Sequence, residues 1–182
     1  MPENTYSIPS FWIAETETTQ ELWKAVMGSS SNPSTYTGTN MPVNNVSYDE
    51  CQTFITKLNS KLGLGFRLPS TDEWQQAYKG GCKTIGYNYS GSNDYSLVAW
   101  YSNNSNNQPH PVKEKNCNEI GVYDMSGNVM EWVNCTYISS GYTYGYCYGG
   151  YFGNNYSGLN VNDYSTPKTS DKSSAYGFRL AN

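Results

Sequence analysis

Charge is scarce in this chain. Of 182 residues only 14% are Asp, Glu, Lys or Arg, and the formal net charge is −4. Nucleic-acid binding rests on Lys and Arg clustered against phosphates, and no such cluster occurs, which excludes that class. Histidine is nearly absent: His110 stands alone between Pro109 and Pro111. One imidazole cannot supply a multi-histidine metal shell, and here it is expected to be an exposed loop residue rather than the base of a catalytic triad. No apolar run approaches the ~18 residues of a membrane span. The start, Met1-Pro2-Glu3-Asn4, lacks the basic and apolar regions of a secretion signal. Cellular location is therefore left open, and display on a cell or phage surface is compatible with it. The five cysteines, Cys51, Cys82, Cys117, Cys135 and Cys147, include no C-x-x-C pair, so neither zinc nor a disulfide scaffold is indicated. Cys135 and Cys147 could pair across a hairpin; free thiols are the default.

Tyrosine is abundant instead, 18 residues against 5 Phe. Eight lie between Trp132 and Pro167, set among Asn, Ser and Gly, and Asp163 is the one charged residue of that stretch. The mixture resembles an antibody combining site, where Tyr gives rigid amphipathic contact area and Ser, Gly and Asn give adaptable hydrogen bonding. Along Tyr142-Thr143-Tyr144-Gly145-Tyr146-Cys147-Tyr148 the alternation has period two, so one face of a strand would carry all four tyrosines. A purely solvated sheet face would carry Lys and Glu; their absence favours a ligand surface. Disorder needs low hydrophobicity with high net charge, so the composition points to a single folded domain over 1–182.

Three helix starts are readable before that stretch. Thr18 with Glu21, Ser47 with Glu50, and Ser70 with Glu73 each have the spacing of a capping box, in which hydroxyl and carboxylate satisfy free backbone N–H groups. Gly28 and Gly80-Gly81 are expected stops. The spacing of Cys51, Phe54, Ile55, Leu58 and Leu62 makes the second helix the clearest. Later segments are read as short strands and long turns. Ile120 to Tyr123 and Val129 to Val133 are expected to flank a tight Ser126-Gly127-Asn128 turn. Gly65-Phe66-Arg67-Leu68 and Gly177-Phe178-Arg179-Leu180 are expected to be buried strands facing one core, and Trp74, Trp100 and Trp132 to be core residues. The class is α+β, with early helices packed on an irregular antiparallel sheet with long loops.

Six motifs in order carry a resemblance. They are Thr18-Thr19-Gln20, Pro42 to Ser47 (PVNNVS), Phe66 to Trp74 (FRLPSTDEW), Asn118 to Trp132 (NEIGVYDMSGNVMEW), Gly149-Gly150, and Gly177 to Leu180. From about residue 10 to residue 181 the chain resembles the formylglycine-generating-enzyme, or sulfatase-modifying factor, family, a variant of the C-type lectin fold. Its enzymes use a thiol pair that binds copper, at positions matching Asn154 and Leu159 here, and no cysteine follows Cys147. Copper redox chemistry wants soft thiolates, which Asn and Leu cannot supply. A sister branch of sulfoxide synthases holds iron with several histidines, and this chain has one. The other kind of member is the non-catalytic variable protein of diversity-generating retroelements. There the scaffold stays fixed while a C-terminal segment is mutagenised at adenines, leaving Tyr, Ser, Asp, Gly, Thr and Asn.

The resemblance therefore implies a scaffold over about 10–131 and a variable ligand-binding region over about 137–176. The residues expected to touch a ligand are Tyr146, Tyr148, Tyr151, Asn154, Asn155, Tyr156, Asn160, Asn162, Tyr164 and Tyr176. The partner implied is a protein or glycan on a cell or virion surface. No catalytic cofactor is expected. In the family's enzymes, positions matching Asp124, Gly127, Val129 and Glu131 hold a structural calcium, which favours 6–8 oxygen ligands. The alternative is that Asp124 caps the Ser126-Gly127 turn and Glu131 pairs with Arg67 or Arg179. A second family calcium site around Val98 to Asn103 lacks its acidic and amide pattern. The competing functional reading is a copper-dependent oxidase whose thiol chemistry has moved to Cys135 and Cys147.

Overall fold

The computed structural model describes residues 8–182. Helix α1 (Gln20–Met27) leads into α2 (Tyr48–Leu62) and α3 (Thr71–Tyr78), and a short α4 (Tyr95–Val98) runs directly into β1 (Ala99–Trp100). Both later capping boxes form as read. The Ser47 hydroxyl accepts the Glu50 N–H while Glu50 reaches back to the Ser47 N–H, and Ser70 and Glu73 do the same. The first start lies one residue later than read: Thr19, not Thr18, accepts from Leu22. The Thr18 backbone is already occupied, donating to Phe178 and accepting from Val43, which leaves Thr19 at the helix entry. Gly28 ends α1 with its N–H on the Lys24 carbonyl.

A four-stranded sheet runs in the order β5-β4-β3-β6. It contains β3 (Met130–Ser139), β4 (Tyr142–Tyr148), β5 (Tyr164–Ser165) and β6 (Tyr176–Gly177). β3 and β4 form an antiparallel hairpin whose register shifts between Val133 and Thr136, while β6 joins β3 in parallel. The hairpin expected around Ser126-Gly127-Asn128 does not form. Ser126–Gly127 is instead strand β2, paired in parallel with β1 through Ala99↔Ser126 and Trp100↔Gly127. Ile120 to Tyr123 forms no strand: Val122 is tied back through its carbonyl to the Asn118 N–H and through its N–H to the Asn118 side chain.

The sheet root is packed on both faces. One face carries Trp132 and Cys147 into a core with Trp23, Phe54 and Phe178, where Trp23 and Phe54 stack at 5.2 Å. The other carries Val133 and Tyr148 against Trp74 and Tyr78 of α3. Successive strand residues point to opposite faces, so neighbours such as Trp132 and Val133 enter different cores. The Phe-Arg-Leu pair divides its labour. Phe178, Arg179 and Leu68 are buried, whereas Phe66 is half-buried and Arg67 meets Ala181 in a single antiparallel bridge. Trp74 and Trp132 are core, as read. Trp100 is half-buried, held between the His110 ring at 3.7 Å and the Lys115 ammonium at 4.1 Å. That stacking corrects the expectation of an exposed His110.

Candidate functional site

Beyond Val133 the β3–β4 hairpin leaves the core, and its residues are the tyrosines singled out by composition. A continuous run of ring contacts climbs one face. Trp74 meets Tyr148 at 5.4 Å; Tyr148 meets Tyr164 at 5.6 Å; Tyr146 meets Tyr164 at 5.4 Å and Tyr137 at 5.6 Å. Tyr137 then stacks on its cross-strand partner Tyr144 at 5.3 Å. Aromatic cross-strand pairs stabilise a sheet while leaving their polar ends wet. Near the tip, Lys168 lies 3.5 Å over the Tyr142 ring, and Ile138 is 78% exposed. Gly145, on the opposite face, leaves no room for a side chain: an added Cβ would come within 2.9 Å of the Trp132 ring.

The expected ligand residues divide into three places. Tyr151, Asn154, Tyr164 and Tyr176 line one groove of about 390 Å³, together with Asp163 and Met130. Tyr146 belongs to the aromatic face, half-buried. Tyr156 is 55% exposed and stacks on Tyr95 of the scaffold at 5.5 Å, next to Tyr89 and Tyr101. Three asparagines shape the loop backbone. The Asn154 side-chain oxygen accepts the Tyr151 N–H, that of Asn155 starts the 3-10 turn Tyr156–Leu159, and Asn160 donates to the Ser157 carbonyl. Asn162 is exposed. Tyr148 departs from expectation. It is 5% exposed, because α3 brings Trp74 over it, so it supports the surface from beneath instead of contributing to it. Asp163 also lines the groove and was not among the expected residues, although it stands out as the lone charge of the stretch.

Gly149-Gly150 is the joint between sheet and loop. Gly150 has φ +71°, and a Cβ there would come within 2.2 Å of the Gly158 carbonyl oxygen, so the 3-10 turn can lie against the strand end only over glycine.

At the four expected calcium positions, both carboxylates already accept hydrogen bonds from the protein. The Glu131 carboxylate is fully buried and clamped. Arg179 Nε donates to its Oε2 at 2.7 Å, Arg179 Nη2 to its Oε1 at 2.7 Å, and Trp74 Nε1 to Oε2 at 2.7 Å. A dication would have to displace, or lie beside, a buried guanidinium. Asp124 accepts the Lys113 N–H, and the Gly127 and Val129 N–H groups donate to Gly149 and Glu17. Arg179, rather than Arg67, is the partner of Glu131; Arg67 holds Glu73 at 2.6 Å. Burial above all, with the nearby Glu131 carboxylate adding to it and Arg179 opposing it, pushes Asp124 up to about 6 and Glu17 well above the usual carboxylate range.

The thiols of the competing reading are separated. Cys147 is buried in the core with Trp132 and Phe178, where burial pushes its thiol up, while Cys135 packs on the α3 side. They occupy opposite faces of the hairpin and are both free.

Known proteins share this architecture. A solved structure of Treponema denticola variable protein 1 is 29% identical, with a TM-score of 0.84 over 98% of this chain and 89% of that one. The crystal structure of CarF is 26% identical, with a TM-score of 0.84 over 94% and 86%. The chaperone protein LppX of Paenibacillus barcinonensis is 30% identical over 71% of this chain, which spans 64% of that relative's length. The fold is the C-type-lectin-like fold of the variable proteins, shared with formylglycine-generating-enzyme-like proteins. Across residues 1–182 the chain matches, and belongs to, the sulfatase-modifying factor enzyme 1-like domain family.

Proposed function

We propose that this protein is a non-catalytic ligand-binding member of its family. It is read as the variable protein of a diversity-generating retroelement that presents a Tyr/Asn/Ser surface to a protein or glycan on a cell or virion surface. One observation carries the reading. The chain from Tyr137 to Tyr176 gives Cys147, Tyr148, Phe152, Leu159 and Ala175 to the interior and leaves its other tyrosines and asparagines on an aromatic face and a groove, so contact chemistry and folding fall largely to different residues. Rigid elements position loops and loops carry recognition. The likeness to a variable protein supports it. Sequencing the same locus in sibling isolates tests it: substitutions confined to adenine-derived codons between Tyr137 and Tyr176 are expected, and an invariant segment would refute the variable-protein reading.

Family membership keeps an oxidase in view. The relevant assay offers a cysteine-containing sulfatase peptide and copper to the protein. The account expects no turnover. Turnover that disappears in Cys147→Ser would overturn it.

A further inference from the structure

We propose that the groove under β5 takes the basic side chain, arginine or lysine, of a protein ligand; this rests on the ligand-surface reading above and names its chemistry. The groove encloses about 390 Å³ and is lined by Tyr151 and Tyr176 on the Trp132 side of the sheet, together with Met130, Ala175, Asp163 and Tyr164, whose own ring turns to the other face against Tyr146 and Tyr148. That volume is near the lower end of ligand-binding cavities, suited to one side chain rather than a length of chain. Asp163 is the only charged residue from Val133 to Thr166. Among the described residues it accepts one hydrogen bond, from the Asn160 N–H at 3.3 Å, and forms no salt bridge.

The lysines that follow in sequence are committed elsewhere. Lys168 lies over the Tyr142 ring, and Lys172 pairs with Glu50 at 2.6 Å. A half-buried carboxylate without a cationic partner, in a groove that Tyr151 and Tyr176 also line, is complementary to an organic cation. The rings attract it through their faces, the carboxylate gives a charge-assisted hydrogen bond, and a planar guanidinium can also stack. A neutral sugar would use the rings and hydroxyls but leave the carboxylate's charge uncompensated.

The test titrates isotope-labelled full-length protein with N-acetyl-arginine methylamide and with the citrulline analogue, which keeps the shape and lacks the charge. The arginine probe is expected to shift the amides of Asp163, Tyr164 and Tyr176 saturably and to bind at least about tenfold tighter than citrulline. Asp163→Asn should erase that difference while the remaining spectrum stays native. Equal affinity of the two probes, shifts elsewhere, or an unchanged preference in Asp163→Asn would each overturn the proposal, as would groove-centred binding of neutral oligosaccharides. A displayed random-peptide library separates this inference from the reading beneath it. Enriched peptides rich in Arg or Lys that lose binding in Asp163→Asn support both. Enriched peptides without basic residues that depend on Tyr164 refute the inference and leave the ligand surface standing. No enrichment and no probe shift refute both.

Discussion

At the residue scale the interior is organised around Arg179. It is fully buried, forks onto Glu131, and also donates to the Ala14 and Tyr123 carbonyls, tying the segment around Ala14 and the 120s loop to the chain just beyond β6. Removing one partner of such a pair strands the other charge. Glu131→Ala is therefore expected to cost about 3–5 kcal/mol in urea unfolding. Glu131→Gln, which keeps acceptor and shape, should cost less. Asp124 behaves oppositely. Its pKa is pushed up to about 6 from an ordinary 3.8, so the folded state holds a proton that the unfolded chain releases. The native state thus loses stability as pH rises from about 4 to about 6 and stays lowered above. Asp124→Asn, free of that cost, should gain relative to the parent across that window, levelling near 3 kcal/mol (about two pK units). A constant difference between pH 4 and pH 8 would contradict this. Because Glu131 is clamped, excess chelator should leave the melting temperature within about 1 °C of its value in added calcium. The sequence offered two partners for Glu131, Arg67 and Arg179. Choosing between them needed the long-range pairing that brings β6 beside β3.

At the element scale, legibility follows locality. The Ser47 and Ser70 boxes are contained within four residues, and both helices begin where the sequence places them. Thr18 was misread because its own backbone is recruited by Phe178 and Val43, partners distant in sequence. The 120s were misread for the same reason: Ser126–Gly127 pairs with Ala99–Trp100, which no local pattern announces. The caps also predict a ranking. Ser47→Ala is expected to cost about 1 kcal/mol in thermal or urea unfolding. Ser70→Ala should cost more, because Glu73, the reciprocal partner of Ser70, also orients Arg67. Equal costs would show that Arg67 adds nothing to the second cap.

At the scale of the whole molecule the frame and the display surface come apart. Period two along β4 correctly put Tyr142, Tyr144, Tyr146 and Tyr148 on one face. It could not say which of them α3 would cover. Burial fades along the strand from Tyr148 to Tyr142, so the same residue type is core at one end and contact surface at the other. Substitution should follow that gradient. Tyr148→Ala is expected to cost about 3 kcal/mol or more, as loss of a buried aromatic does. Tyr164→Ala, at a ring 56% exposed, should cost under about 1 kcal/mol. The groove residue Asp163 was visible as an isolated charge, but its meaning depended on Tyr151 and Tyr176, which only the fold brings beside it.

The central claim, a closed frame carrying an energetically separate contact surface, is tested most directly by a single-substitution library over residues 10–181 sorted for folding by protease resistance. The account predicts broad tolerance at Tyr137, Tyr142, Tyr156, Asn162 and Tyr164, and near-complete intolerance at Trp74, Trp132, Gly145, Tyr148 and Arg179. Equal intolerance in the two groups would mean that the tyrosines hold the fold together, and would contradict it.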